Sequence, residues 1–229
     1  IRVIDKTVAT IEDAVAGISD GATLMVSGFG EAGAPVELME AIIEQGARNL
    51  TIVSNNAGEA YHGLAKLVNE KRVVKVICSF PTAAKKAVIK DLYAAGEIEL
   101  EIVPQGTLSE RIRAGGAGIG GFYTPTSFGT KLAEGKETRQ FDGQDYVLEF
   151  PLFADFAFVK AFQADRWGNL TYDKSARNFG PSMAMAGETT VVQVSEIVEL
   201  GELDPERVVT PGIFVDRVVK LSSPNRISG

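Results

Sequence analysis

Short apolar runs alternate with stretches of helical character through the first half of the chain, and that alternation sets the fold class. Leu24-Met25-Val26, Leu50-Thr51-Ile52-Val53, Val73-Val74-Lys75-Val76-Ile77 and Ile98-Glu99-Leu100-Glu101-Ile102-Val103 have strand length. Between them, Pro35 opens and Gly46 closes one helical segment; two more are expected over 63–71 and 82–95, the second closed by Gly96. Thr107-Leu108-Ser109-Glu110 has the form of a capping box and predicts another helix. Ahead of all these, Val8, Ile11, Val15 and Ile18 recur at helical spacing, which predicts an amphipathic helix over 7–18. Strands alternating with helices imply βαβ units. The expectation is an α/β fold with an open, mostly parallel sheet flanked by helices and right-handed crossovers.

The second half departs from that rhythm. Residues 114–130 contain Gly115-Gly116-Ala117-Gly118-Ile119-Gly120-Gly121 and then several aromatics, and read as a long functional loop. Segments 138–141 and 146–150 flank Asp142-Gly143, which predicts an added antiparallel hairpin. Segments 157–162, 189–194 and 217–221 read as further strands. The whole is expected to form one α/β domain over 1–229, with 222–229 a frayed polar tail.

Bulk properties narrow the classes of function. A net charge of −7 argues against nucleic acid as the main partner, because a phosphate backbone needs a basic face. One histidine and one cysteine cannot make a Cys/His zinc site, so no metal is expected. The single cysteine, Cys78, fits a reducing compartment. With no apolar run of membrane-spanning length and no secretory pattern, the reading is a soluble, cytoplasmic protein that binds no membrane.

Chemistry is expected at the ends of the strands, where ligands bind in parallel sheets. The turn Asp20-Gly21 and the first strand lead into a glycine loop, Gly28-Phe29-Gly30-Glu31-Ala32-Gly33, ahead of the Pro35 helix. Such a loop aims unpaired N–H groups and a positive helix end at an anion or carbonyl. It matches G-x-G-x-x-G literally, yet the next strand ends in Ser54-Asn55-Asn56, without the acid a dinucleotide site needs for the ribose. Asn55 and Asn56, Ser79 and Gln105 close successive strands in the pattern, giving an edge of amides and a hydroxyl that can orient a carboxylate. No Gly-x-Ser-x-Gly elbow is present to recruit His62, which reads as a surface or helix-end residue. Cys78 reads as a small buried hydrophobe, Lys85-Lys86 as a solvated face, and Trp167 as a packed turn residue. Arg111 and Arg113 either support the later glycine-rich loop or face water.

At this point the chain resembles the alpha subunit of family I CoA-transferases. The likeness runs from about Ile11 to Val219 and rests on motifs in order: Asp20-Gly21 through Gly28-Phe29-Gly30 to Gly33-Ala34-Pro35; Ser54-Asn55-Asn56; and Val103-Pro104-Gln105-Gly106-Thr107-Leu108. Glu110-Arg111-Ile112-Arg113, Glu134-Gly135-Lys136, Gly168-Asn169-Leu170, Ala176-Arg177-Asn178-Phe179 and Gly201-Glu202-Leu203-Asp204-Pro205 follow. The resemblance implies a heteromeric enzyme, usually α2β2, whose nucleophilic glutamate sits on the beta subunit in a Ser-Glu-Asn-Gly context that this chain lacks. It implies transfer of CoA from a donor thioester, through an acyl-enzyme anhydride and a glutamyl-CoA thioester, to an acceptor carboxylate.

Carried onto this sequence, the family's CoA-binding glycine motif falls on Ser27, Gly28, Phe29, Gly30, Glu31, Ala32 and Gly33. Its alpha-side substrate pocket falls on Asn55, Asn56 and Gln105, and no catalytic residue falls on this chain. Ser27 stands where the family usually has glycine, adding a side chain at a close backbone approach. The resemblance implies no tightly bound cofactor, with the CoA thioester as substrate. Asn55-Asn56-Ala57-Gly58, Cys78-Ser79-Phe80-Pro81 and the stretch from Asp165 to Tyr172 are most similar to members that take succinyl-CoA as donor and 3-oxoadipate as acceptor, in aromatic catabolism. Members using acetoacetate are the second choice. Arg113 and Lys85 are candidates for the cation that the longer diacid would need. Outside the family, a sugar-phosphate-binding sensor domain is the rival.

Overall fold

The computed structural model describes residues 3–58, 62–81 and 88–221. Lys85-Lys86, the first part of the 82–95 helix and the 222–229 tail lie outside the described residues. In chain order the elements begin β1 (Thr7–Val8), α1 (Ile11–Val15), β2 (Thr23–Val26), α2 (Val36–Gln45), β3 (Leu50–Asn56) and α3 (Gly63–Asn69). There follow β4 (Val73–Phe80), α4 (Val88–Ala94), β5 (Glu99–Ile102), α5 (Gln105–Gly116), β6 (Phe122–Thr124), β7 (Thr138–Phe141) and β8 (Gln144–Glu149). The last are β9 (Ala154–Asp165), β10 (Leu170–Thr171), α6 (Gly180–Ala186), β11 (Gly187–Val198) and β12 (Arg217–Lys220).

One sheet of nine strands runs β1-β12-β11-β9-β2-β3-β4-β5, with β10 added antiparallel on β9. Every ladder along that path is parallel. Successive residues of its central strands serve opposite faces, as the pleat requires. Leu24, Val26, Ile52, Val76 and Phe158 pack with Leu38 and Ile42 of α2 and Leu67 of α3. Met25, Val53, Ile77 and Ala157 pack on the other side with Leu108 and Ile112 of α5 and Met183 of α6. Burial on both faces explains why these strands read as continuous apolar runs. The predicted hairpin forms as β7 and β8, with Asp142 and Gly143 both at positive φ, and β6 completes a small antiparallel sheet. No described helix is long and apolar enough to cross a membrane.

Four expectations need correction. The helix over 7–18 is only α1; Thr7 and Val8 instead pair with Val218 and Val219 as an edge strand. Val8 fits both a helical and an alternating pattern, and Thr10, whose hydroxyl accepts the Asp13 N–H at 3.1 Å, starts the helix late. The capping box is not used: α5 begins two positions earlier, behind Pro104, and Thr107 becomes a buried interior residue. Glu110 turns to Arg113.

The 114–130 loop is shorter than expected, because α5 continues through Gly116 and β6 takes 122–124. Those helical glycines are there for close approach. A Cβ on Gly115 would lie 2.1 Å from the Leu152 carbonyl oxygen, and one on Gly116 2.4 Å from Cβ of Met185. Finally, Asn55 and Asn56 lie inside β3 and Ser79 inside β4, while Gln105 is the first residue of α5. The short helix α6 is not among the expected elements.

Candidate active site

The carboxyl ends of β2, β3 and β4 face the N-terminus of α5 and carry most of the residues singled out above. The glycine loop leaves β2 and folds on itself as a tight turn, with the Phe29 N–H donating to the Ala32 carbonyl at 3.0 Å. Ser27 closes it. Its hydroxyl donates to the Gly33 carbonyl at 2.8 Å and receives the Lys160 N–H at 3.3 Å. The side chain added at this position therefore turns inward and is buried, leaving the outer surface of the loop to glycine backbone.

Asn178, on the segment ahead of α6, straps the loop from behind. Its Oδ1 accepts the N–H of Gly28 at 3.1 Å and of Phe179 at 2.7 Å, while Nδ2 donates to the carbonyls of Ala32 and Ser175. The sequence singled out Asn178 only as part of a motif. No local signal reveals a side chain that works 150 residues away in sequence. Gly33 is required by the same strap: it has φ +75°, and a Cβ there would sit 2.2 Å from the Ala176 carbonyl oxygen.

The expected free helix end is not what α2 offers. The buried amide of Gln193 on β11 caps it, accepting the Leu38 N–H at 3.2 Å and donating to Glu37 at 2.5 Å. The backbone donors left for a ligand are those of the loop. Among the described residues, the loop's hydrogen bonds occupy the N–H groups of Ser27, Gly28 and Phe29 and leave those of 30–33 unpaired.

A cleft of about 420 Å³ opens beside this loop. Ser27, Gly28, Gly30 and Glu31 line one side, and Ser54, Asn55 and Asn56 line the floor. His62, the N-cap of α3, lines the far side and meets Glu31 at 3.0 Å between Nε2 and Oε1. Both of these side chains are nearly half exposed, so their pairing contributes little stability. The helix-end reading of His62 holds, with the addition that it sits at the mouth of the cleft.

Successive residues on β3 split the two asparagines between the faces of the sheet. Asn56 goes to the α2 side, where its Oδ1 accepts the Gly58 N–H at 2.8 Å and shapes the strand's exit. Asn55 goes to the α5 side. Its Oδ1 accepts two hydrogen bonds of 2.7 Å, one from Ser79 Oγ and one from Gln105 Nε2. The structure thus gathers Asn55 and Asn56 with the loop, and joins Gln105 to them through Asn55.

The remaining candidates stand apart. Arg113 is exposed and held by Glu110 at 2.5 Å, and Arg111 by Glu101 and the Phe150 carbonyl, so neither is free for a ligand. Cys78 is buried in the apolar core, and burial pushes its thiol up to about 12. Trp167 is in the turn between β9 and β10 but is exposed rather than packed.

The coenzyme A transferase family matches residues 8–221. The chain is 62% identical over 220 residues to the alpha subunit of 3-oxoadipate CoA-transferase of Acinetobacter baylyi, covering 96% of each. It is 50% identical over 222 residues to the alpha subunit of succinyl-CoA:3-ketoacid coenzyme A transferase of Xanthomonas campestris, covering 96% of this chain and 91% of that one. Among solved structures it superposes on the acyl-CoA transferase of E. coli O157:H7, captured as a thioester complex with CoA, with a TM-score of 0.85 at 25% identity. That match takes in 98% of this chain but only 49% of the E. coli chain, so this chain spans about half of that protein's length. With the matching sheet, loop and motifs, these relationships place the chain in the coenzyme A transferase family, on its alpha-subunit branch.

Proposed function

We propose that this chain is the alpha subunit of a heteromeric, cytoplasmic CoA-transferase that moves CoA from succinyl-CoA to a 3-oxo acid, with 3-oxoadipate as the acceptor. The observation that carries the proposal is the cleft, which sets a glycine loop with unpaired N–H groups against the Asn55–Asn56 floor. The loop, residues 27–33, receives the CoA thioester. Asn55, Asn56 and Gln105 orient the carboxylate or thioester carbonyl through amide donors. Such groups position and stabilise. They do not attack.

The nucleophilic glutamate belongs to a beta subunit. Glu31 and His62, the ionisable groups lining the cleft, are bound to one another at its mouth. The half-length match to the E. coli transferase supports a second polypeptide, since an equal length of that chain has no counterpart here. The expected assembly is α2β2, with CoA as a substrate and no resident cofactor. Acceptor choice rests on the higher identity to the 3-oxoadipate enzyme than to the 3-ketoacid enzyme. This places the protein in aromatic catabolism.

Coexpression with the neighbouring beta-type reading frame, copurification, and assay with succinyl-CoA test the reading. The pair turns over with 3-oxoadipate faster than with acetoacetate, and the single chain is inactive. Activity of the purified chain alone overturns the partner assignment, and preference for acetoacetate overturns the acceptor.

A further inference from the structure

The strands β3 and β4 set Asn55 beside Ser79, in the ladder between the Ser54–Cys78 and Asn56–Phe80 pairs. Neighbouring positions in a parallel ladder share a face, so both side chains turn to the α5 side. There the Asn55 amide is almost fully buried, at 4% exposure. Its oxygen has two lone pairs and meets two donors, Ser79 Oγ and Gln105 Nε2, each at 2.7 Å. Ser79 Oγ also lies 3.0 Å from the Asn55 backbone oxygen, which keeps the hydroxyl seated against this one residue.

The consequence is a fixed polarity. An asparagine amide can turn over, exchanging a donor for an acceptor at nearly the same shape. Two donors on one oxygen oppose that exchange, because turning the amide would set its N–H2 against the Gln105 N–H2. The group left uncommitted is the Asn55 N–H2, which carries no hydrogen bond among the described residues and belongs to a residue lining the cleft. We infer that Ser79 is a positioning residue: with Gln105 it locks the Asn55 amide so that the cleft is offered a hydrogen-bond donor and not an acceptor. The ligand chemistry this suits is an oxygen carrying negative charge, either a carboxylate or the oxyanion that develops as a thioester is attacked. The inference rests on the proposed site, in which Asn55 contacts substrate.

Ser79 differs from the amides in what it can be replaced by. Threonine keeps the hydroxyl and suits a strand, whereas alanine removes the donor and leaves Asn55 with Gln105 alone. Gln105 is exposed and opens a helix, so alone it holds the amide less firmly than a residue on the adjacent strand.

The test is steady-state kinetics on the reconstituted complex of this chain with its beta subunit, with thermal melting run in parallel. Ser79→Ala lowers kcat about tenfold, a fraction of the loss expected for removing an oxyanion donor outright, with the melting midpoint held within about 2 °C. Ser79→Thr restores kcat to within about twofold. Asn55→Ala loses about a hundredfold or more. If Ser79→Ala stays within twofold while Asn55→Ala is crippled, the positioning role is wrong and the site reading stands. A loss in Ser79→Ala that Thr does not restore, accompanied by a fall in melting temperature, shows a structural role and overturns the inference. Unchanged turnover in Asn55→Ala removes the site itself, and Ser79 with it.

Discussion

Asn178 holds Gly28 at 3.1 Å through its amide oxygen and Ala32 at 2.8 Å through its amide nitrogen, so one side chain grips both arms of the glycine loop. An aspartate at this position keeps the oxygen that receives Gly28 but loses the donor to Ala32 and Ser175. Asn178→Asp therefore loosens the outer arm of the loop while leaving the inner arm tied. In the reconstituted complex it raises KM for succinyl-CoA about tenfold with a smaller change in kcat, as expected for lost positioning of a ligand-facing loop. Steady-state kinetics check this. An unchanged KM shows that the loop is remote from the thioester.

Gly30 and Gly33 both have positive φ, but their surroundings differ. A Cβ at Gly30 meets nothing within 4 Å, whereas one at Gly33 runs into the Ala176 carbonyl at 2.2 Å. Gly30→Ala then costs only the left-handed backbone, about 1–2 kcal/mol. Gly33→Ala adds a clash with backbone that cannot swing aside, for a total of about 3 kcal/mol or more. Urea unfolding of the two variants separates them, and equal losses contradict the packing of 173–179 against the loop.

Glu31 is the carboxylate lining the cleft, and its partner His62 is nearly half exposed. An attacking carboxylate needs desolvation and a fixed aim, and a pair at the mouth has neither. Glu31→Gln in the complex keeps more than about a tenth of wild-type turnover, whereas loss of a true nucleophile costs about 10⁴-fold or more. Turnover numbers on the purified complex decide the matter. A loss of that larger size moves the nucleophile onto this chain.

The parallel sheet was legible because strands buried on both faces leave unbroken apolar runs such as Leu50-Thr51-Ile52-Val53. Sequence pattern also located the glycine loop and the two asparagines, but it stopped β3 at Val53 because Ser54-Asn55-Asn56 is polar. Those three are held in the strand by pairing with β4 and by side-chain hydrogen bonds, which periodicity does not register. For the same reason it placed both asparagines together, when the pleat sends them to opposite faces. The capping of α2 by Gln193 and the strap from Asn178 were invisible for a different reason. Each joins the first βα unit to residues 146 or more positions away, and local signals carry no information about such contacts.

Glu101 supplies the prediction that depends on pH. It bonds Arg111 at 2.9 Å and Lys75 at 3.2 Å, tying β5 to α5 and β4. Burial alone would raise its carboxyl, but the hydrogen bonds from Arg111 and Lys75 outweigh burial and hold it below its ordinary value. A carboxylate depressed in the folded state contributes stability that is present above its unfolded value, about 4.3, and lost as the pH falls through the folded one. The side chain is about a third exposed, so solvent screening discounts the pair. Glu101→Gln is then less stable than wild type by about 1–2 kcal/mol at pH 7, where a charge-assisted bond is replaced by a neutral one and Arg111 is left underpaired. Below pH 4 the wild-type carboxyl is itself taking up a proton, so the gap between the two proteins narrows. Urea midpoints measured from pH 7 to pH 3.5 trace the convergence. A gap that stays constant across that range shows that the loss at Glu101 is one of packing rather than charge.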